Sequence, residues 1–150
     1  MTFPEEGIAV DAAHSQKNGK TEIQGIDLKT GKYLFYESLG NQTVNIGEFL
    51  AIVEAVKHII ASNYKPKLIW SDSLTAISWF KNKKGNSQKR NKALQKAEIY
   101  LRACHVEVDK IEVRHWNSKY FGENAADFGN KAYKPKTKEN ATEIRSIELF

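Results

Sequence analysis

The 150-residue chain has a single cysteine, Cys104, and only four histidines. One thiol makes no internal disulfide, and no cysteine–histidine cluster suggests zinc. Cys104 stands at helical spacing from Leu101 and Ala97, the position of a small buried thiol rather than of a nucleophile. A chain without a disulfide framework belongs in a reducing compartment, so a cytoplasmic location is expected. No run of eighteen apolar residues occurs, which excludes a simple membrane-spanning helix and any reading as a membrane protein built on one. Met1 to Gly7 carries Pro4, Glu5 and Glu6 and no basic, apolar core, so secretion by a signal peptide is not expected. Acidic residues are missing from 81–96, where Lys81, Lys83, Lys84, Lys89, Arg90 and Lys92 stand among Asn82, Gly85, Asn86 and Ser87. Such a run is most often a solvated loop. Unbalanced by acid, in a chain of net charge +5, it raises the case for a polyanionic, nucleic-acid partner.

What is present is enough for one core: 41% of residues are hydrophobic and 27% charged, as in an ordinary globular domain. Three strands are expected first: Gly7–Ala13, Thr21–Ile26 and Lys32–Ser38. Turns around Asn18-Gly19 and Thr30-Gly31 join them into an antiparallel meander. Gly25 between the apolar residues of the second strand marks a bulge. The period then changes. Phe49, Ile52, Val53, Val56, Ile59 and Ile60 form one face of an amphipathic helix that Asn63 and Pro66 end. Leu68-Ile69-Trp70 is a short buried strand, parallel to the first because a helix separates them. Helices follow over about Ser73–Phe80 and Asn91–Cys104. An alternating strand is expected within Val106–Trp116, then a last helix from about Gly122 to Tyr133, stopped by Pro135. The order β-β-β-α-β-α-α-β-α describes a mixed sheet with helices on its faces, an α/β fold. It divides the chain into a domain of residues 1–134 and a polar C-terminal extension, 135–150, rich in lysine and threonine before its apolar end.

Carboxylates stand where such a sheet would place a metal site. Asp11 follows Ile8-Ala9-Val10, and an aspartate in an apolar strand is costly unless its charge is compensated. Asp72 ends Leu68-Ile69-Trp70, so on parallel neighbouring strands both acids reach the same sheet edge, where open α/β sheets put their ligands. Glu48 shares a helix face with apolar residues and is expected to point inward. Asp127 lies among Ala125, Ala126 and Phe128 with Glu123 one turn earlier, on the same face of the expected last helix. Each has a plainer account: a turn cap for Asp11, a helix N-cap for Asp72, a favourable helix N-terminus for Glu48, a solvated helix position for Asp127. Together, inward carboxylates without a matching buried base call for cations. Hard divalent ions take oxygen ligands, and two of them activate water and stabilise a leaving oxygen, the chemistry of phosphodiester hydrolysis.

Four segments carry a resemblance. Ile8-Ala9-Val10-Asp11-Ala12-Ala13, Asn45-Ile46-Gly47-Glu48-Phe49-Leu50-Ala51, Trp70-Ser71-Asp72-Ser73-Leu74-Thr75-Ala76 and Gly122-Glu123-Asn124-Ala125-Ala126-Asp127-Phe128-Gly129 resemble, in order, the four motifs of type I ribonuclease H. The likeness covers most of the chain to about Tyr133. It implies a ribonuclease H-like fold with a five-stranded sheet in the order 3-2-1-4-5. It implies an endonuclease that cuts the RNA strand of RNA–DNA hybrids with two Mg²⁺ ions, or Mn²⁺, leaving a 5′-phosphate and a 3′-hydroxyl, and acting as a monomer. By motif position, Asp11, Glu48, Asp72 and Asp127 would hold the metals, Asp11 between both ions. Glu48 would also meet the RNA 2′-hydroxyl region, and Glu123 would organise water and assist product release. Thr43, Asn45 and Ser87 match a pocket for a DNA-strand phosphate, with Lys89 and Arg90 as further nucleic-acid contacts.

The sequence also departs from the pattern. Leu74 replaces a glutamine that reads the minor groove, His14 stands where a small residue is common, and Trp116–Phe121 lacks the catalytic-loop histidine; His115 belongs to the strand. A 3′–5′ exonuclease of related fold carries an Asp-x-Glu pair on its first strand, and type II ribonuclease H an adjacent Asp-Glu. Asp11-Ala12-Ala13 fits neither. A transposase or integrase brings added DNA-binding domains. The other class of reading is a catalytically inactive or weak nucleic-acid-binding module of the same fold, which would have lost metal ligands that this chain retains.

Overall fold

The computed structural model describes residues 4–15, 17–87 and 91–128. Three strands open the chain, β1 (Ile8–Ser15), β2 (Lys20–Asp27) and β3 (Tyr33–Ser38). Helix α1 (Val44–Ser62) leads to β4 (Leu68–Ser71), then to α2 (Leu74–Asn82), α3 (Lys92–Ala103) and a single turn, α4 (His105–Val108). Strand β5 (Glu112–His115) and a short α5 (Ser118–Phe121) follow. The sheet order is β3-β2-β1-β4-β5. The first three strands pair antiparallel, and β1–β4 and β4–β5 pair parallel. This is the mixed sheet expected from the sequence, in the expected order.

The alternation of side chains along each strand divides the core in two. On one face Ile8, Val10, Ile23 and Ile69 pack under α1, whose residues from Ile46 to Lys57 are buried throughout, together with α2 and α3. On the other, Ala9, Ile26, Tyr33, Trp116, Ala125 and Ala126 form a smaller cluster, ringed by Trp70 and Phe121 in edge-to-face contact with Trp116. Two glycines permit close approaches, one within the sheet and one between the sheet and α1. The β2–β3 register shifts between Gly25 and Ile26, the expected bulge, and a Cβ on Gly25 would run into the ring of Phe35. A Cβ on Gly47, in the first turn of α1, would lie 2.9 Å from Thr21 Cγ2 and 3.2 Å from Ala12 Cβ. Glycine therefore lets the start of α1 sit directly on β1 and β2.

Helix ends follow their caps. Thr43 Oγ1 accepts from the Ile46 N–H, Ser73 Oγ from Ala76 and Asn91 Oδ1 from Leu94, each satisfying a donor that the first turn leaves without a partner. The strand expected within Val106–Trp116 is present and occupies Glu112–His115. Before it, the N–H groups of Val108 and Asp109 bond to the carbonyls of Cys104 and His105, so the chain turns once more as helix after Cys104. One expectation, the last helix, is corrected. The helix expected from Gly122 is not formed over 122–128. The helical residues there are Ser118–Phe121, and Gly122 ends them at φ 78°, ψ −161°. The remainder of that expected helix, and the boundary between residues 134 and 135, lie outside the described residues.

Candidate metal centre

Strand register brings the first two carboxylates together. Ala9 pairs with Trp70 across the parallel β1–β4 ladder, and two residues further along each chain are Asp11 and Asp72. Both emerge level, at the C-terminal end of β4. Asp11 is buried at 7% exposure. Asp72 is not the cap of α2, as a plainer account would have it; Ser73 fills that role, leaving the Asp72 carboxylate to the site.

Glu48 comes from the second turn of α1, whose first turn holds no acidic residue, so a preference for the helix N-terminus does not explain it. The close seat given by Gly47 carries it onto β1, where Glu48 Oε1 accepts the Ala12 N–H at 2.7 Å. Its Oε2 is buried and meets no donor. The polar groups it approaches are the carboxyls of Asp11 and Asp72, and an acid–acid contact is a hydrogen bond only while one acid keeps its proton. Asp11, Glu48 and Asp72 offer oxygens that all lie within 4.8 Å of one another.

Electrostatics reflect that crowding. Burial, then the charge of Asp72, pushes Asp11 up to about 7. Burial, then the charges of Asp11 and Asp72, pushes Glu48 up to about 10. Asp72 is raised by burial, against hydrogen bonds from Glu48 and Asn124 that hold it down. Three acids so arranged are costly as anions and are stabilised by a cation that takes oxygen ligands. The all-oxygen donor set, with a buried oxygen lacking a donor, suits a hard divalent ion such as Mg²⁺ or Mn²⁺.

Asp127 stands outside the triple but close enough for its charge to weigh on both Asp11 and Asp72. It is placed by a turn rather than by the expected helix: its N–H donates to the Asn124 carbonyl at 2.9 Å. Glu123, fully exposed, has its acid raised chiefly by a hydrogen bond with Asp127. The two are neighbours, as expected, without sharing a helix face.

The other expected contact residues are less concentrated. Thr43 and Asn45 are exposed in and beside the N-cap of α1, and Ser87 is half-buried beyond α2. The start of α3 is tied to the start of α1, because Asn91 Nδ2 donates to Gln42 Oε1. Lys89 and Arg90 lie outside the described residues. Within the basic run, Lys83 Nζ is paired with Asp109 at 2.7 Å, while Lys81, Lys84 and Lys92 are exposed. His14 Nδ1 lies 2.7 Å from Thr21 Oγ1, so the unusual residue on β1 is engaged with β2. Leu74, two residues after Asp72, is 64% exposed on the first turn of α2.

Sequence reasoning missed two residues, Asn124 and Gln24. Asn124, 3% exposed, donates through Nδ2 to the Val10 carbonyl at 3.0 Å and accepts the Ala126 N–H at 2.9 Å. Gln24, directly opposite Asp11 in the β1–β2 ladder, donates to the Ala126 carbonyl at 2.7 Å. The only signals were a polar residue in an apolar strand and an asparagine inside an acidic motif.

No family model matches the chain. Among solved structures, the chain is similar to LC11-RNase H1, isolated from compost by a metagenomic approach, at 16% identity and a TM-score of 0.52, over 91% of this chain and 89% of that one. The complex of LC11-RNase H1 with an RNA/DNA hybrid aligns at 16% identity and a TM-score of 0.51, over 75% of this chain and 85% of that one. With the sheet order in hand, the fold is that of ribonuclease H type I.

Proposed function

We propose that this chain is a divalent-metal-dependent endonuclease that hydrolyses the RNA strand of RNA–DNA hybrids, leaving a 5′-phosphate and a 3′-hydroxyl. The observation that carries the reading is the convergence of Asp11, Glu48 and Asp72 within 4.8 Å, with Glu48 Oε2 buried and without a donor. A cluster of this kind on this fold fits a nuclease. The hybrid bound by LC11-RNase H1 supports the choice of substrate.

Asp11, Glu48, Asp72 and Asp127 are the residues that would hold two Mg²⁺ ions, with Mn²⁺ as a substitute. When bound, such ions activate a water for in-line attack and stabilise the departing 3′-oxygen. The protein's own part is to fix the ligands. The Ala12 N–H orients Glu48, the paired register of β1 and β4 sets Asp11 beside Asp72, and Glu123 takes up water beside Asp127. Glu48, nearest the start of α1, is also suited to a ribose 2′-hydroxyl. Thr43, Asn45 and Ser87 hold a phosphate of the DNA strand, and Lys89 and Arg90 add charge, so binding depends on shape and salt rather than on sequence. We place the reaction in the cytoplasm, carried out by a monomer. No helix among the described residues is long and apolar enough to cross a membrane.

The test is incubation of the full chain with an end-labelled hybrid in Mg²⁺, in Mn²⁺ and in EDTA. RNA fragments with 5′-phosphate ends are expected with either metal and not with EDTA. An intact RNA strand under all three conditions, with the protein folded, would overturn the reading.

A further inference from the structure

The candidate site is assembled from two kinds of structure. Asp11, Glu48 and Asp72 sit on sheet and helix elements joined by regular pairing and a buried core. Glu123 and Asp127 sit on a loop whose backbone has no ladder to hold it among the described residues. A loop at this edge needs another tie, since a metal ligand 1 Å out of place loses most of its effect.

Asn124 supplies that tie, and its contacts reach three elements at the residues that matter. Its Nδ2 donates to the carbonyl of Val10, immediately before Asp11. Its Oδ1 accepts the N–H of Ala126, immediately before Asp127. Its carbonyl accepts the N–H of Asp127, and its side chain also hydrogen-bonds the Asp72 carboxyl. Gln24, opposite Asp11, fastens the far side of the same loop through the Ala126 carbonyl. Both side chains are buried, at 3% exposure each, so these bonds are protected from competing water.

We infer that Asn124 is the positioning residue of this site, the bracket that sets the loop carboxylates Asp127 and Glu123 against the sheet carboxylates, with Gln24 as its second fastening. The inference rests on the reading of the site as a metal centre. Asn124 touches the ligands rather than the substrate, so its loss lowers metal affinity and turnover and leaves the affinity for hybrid nearly unchanged.

The experiment is calorimetric titration of the chelator-stripped full chain with Mn²⁺, beside kcat and KM for a hybrid. Asn124→Ala and Asn124→Ser are the variants. Serine still caps the Ala126 N–H but cannot reach Val10 or Asp72, and it leaves a second folded variant if alanine proves too damaging. Tyr64→Phe, at a hydrogen bond to Asp27 remote from the carboxylates, controls for general loss of stability. Expected for both Asn124 variants is a Kd for Mn²⁺ raised roughly 10–100-fold, as when residues supporting metal ligands are removed elsewhere. A matching fall in kcat is expected, with KM within about threefold and both quantities unchanged in Tyr64→Phe. Folded Asn124 variants that bind Mn²⁺ as the wild type does would overturn the inference. A wild type that binds Mn²⁺ without cutting the hybrid would remove the proposed function while leaving the comparison of Kd values to decide the role of Asn124. A wild type that binds no Mn²⁺ at millimolar concentration would overturn both.

Discussion

Replacing Asp11 with asparagine is expected to change the sign of its effect on stability according to whether divalent metal is present. At 4.8 Å, the outer limit of the carboxylate triple, two unit charges in a medium of effective dielectric 20 repel by about 3.5 kcal/mol. Glu48, pushed up to about 10 by burial and then by its acidic neighbours, keeps its proton at neutral pH in the absence of metal. The pair that repels is therefore Asp11 and Asp72, once the pH passes the value of about 7 to which Asp11 is itself pushed, so the melts are compared at about pH 8. Asp72 is solvent-exposed, and screening there reduces the net relief on neutralising Asp11 to about 2 kcal/mol. In a chain of 150 residues that corresponds to a melting temperature roughly 4–8 °C higher for Asp11→Asn in EDTA. Metal reverses the order: the wild type gains about 2.7 kcal/mol when free Mg²⁺ stands at a hundred times its Kd, and the variant gains little. Thermal melts of both proteins in EDTA and in rising Mg²⁺ read the crossing directly, and hybrid cleavage by the variant should be abolished. An Asp11→Asn protein that melts below the wild type in EDTA, or that gains as much from Mg²⁺, would refute the view that these acids are held together at a cost which a cation offsets.

Gly47→Ala tests how α1 delivers Glu48. The added Cβ meets Thr21 Cγ2, a buried and β-branched neighbour, at 2.9 Å. Overpacking of about 1–3 kcal/mol is offset in part by the better helix propensity of alanine, about 1 kcal/mol. The expected outcome is a drop in melting temperature of a few degrees with a much larger loss of cleavage, because the helix must move off β1. Tyr64→Phe tests a bond with a pH signature. Burial alone would raise Asp27, but the hydroxyls of Thr30 and Tyr64, at 2.6 Å each, win and lower it. A lowered acid contributes stability that is present above its unfolded value near pH 4 and is lost as pH falls through its folded value. The variant should lose about 1 kcal/mol at pH 7 by urea unfolding, with the difference from wild type shrinking below about pH 4.

The parts of the structure legible in the sequence are those fixed by periodicity and by strand order. The apolar run before Asp11, the apolar face from Phe49 to Ile60 and the short apolar run before Asp72 give the strands, the long helix and their sequence. The long helix then returns the chain so that β4 runs parallel to β1, which leaves Asp11 and Asp72 at one edge. The residues of the triple were readable because each breaks an apolar pattern. Gly122–Asp127 was misread for a physical reason: alanine and glutamate favour helix, but an asparagine side chain that bonds a backbone N–H two residues on offers the chain a turn instead, and Gly122 takes a conformation no helix continues. The single helical turn at His105–Val108 has no signature in the sequence because Cys104 ends α3 and only the Val108 and Asp109 N–H groups close a turn beyond it, too short for a periodic pattern. Asn124 and Gln24 act through contacts to residues 114 and 102 positions away, and no local pattern encodes those.

The central claim is that Asp11, Glu48 and Asp72 form, with Asp127, a divalent-metal centre for cutting RNA paired to DNA. The most direct test places one end-labelled RNA sequence in four forms before the full chain and Mg²⁺: paired to DNA, paired to RNA, single-stranded, and as its all-DNA duplex counterpart. Cleavage confined to the RNA of the hybrid, lost on adding EDTA and lost in Asp72→Asn, is the expected result. Cleavage of the hybrid that persists in EDTA or in folded Asp72→Asn, or equal cleavage of all four forms, would contradict it.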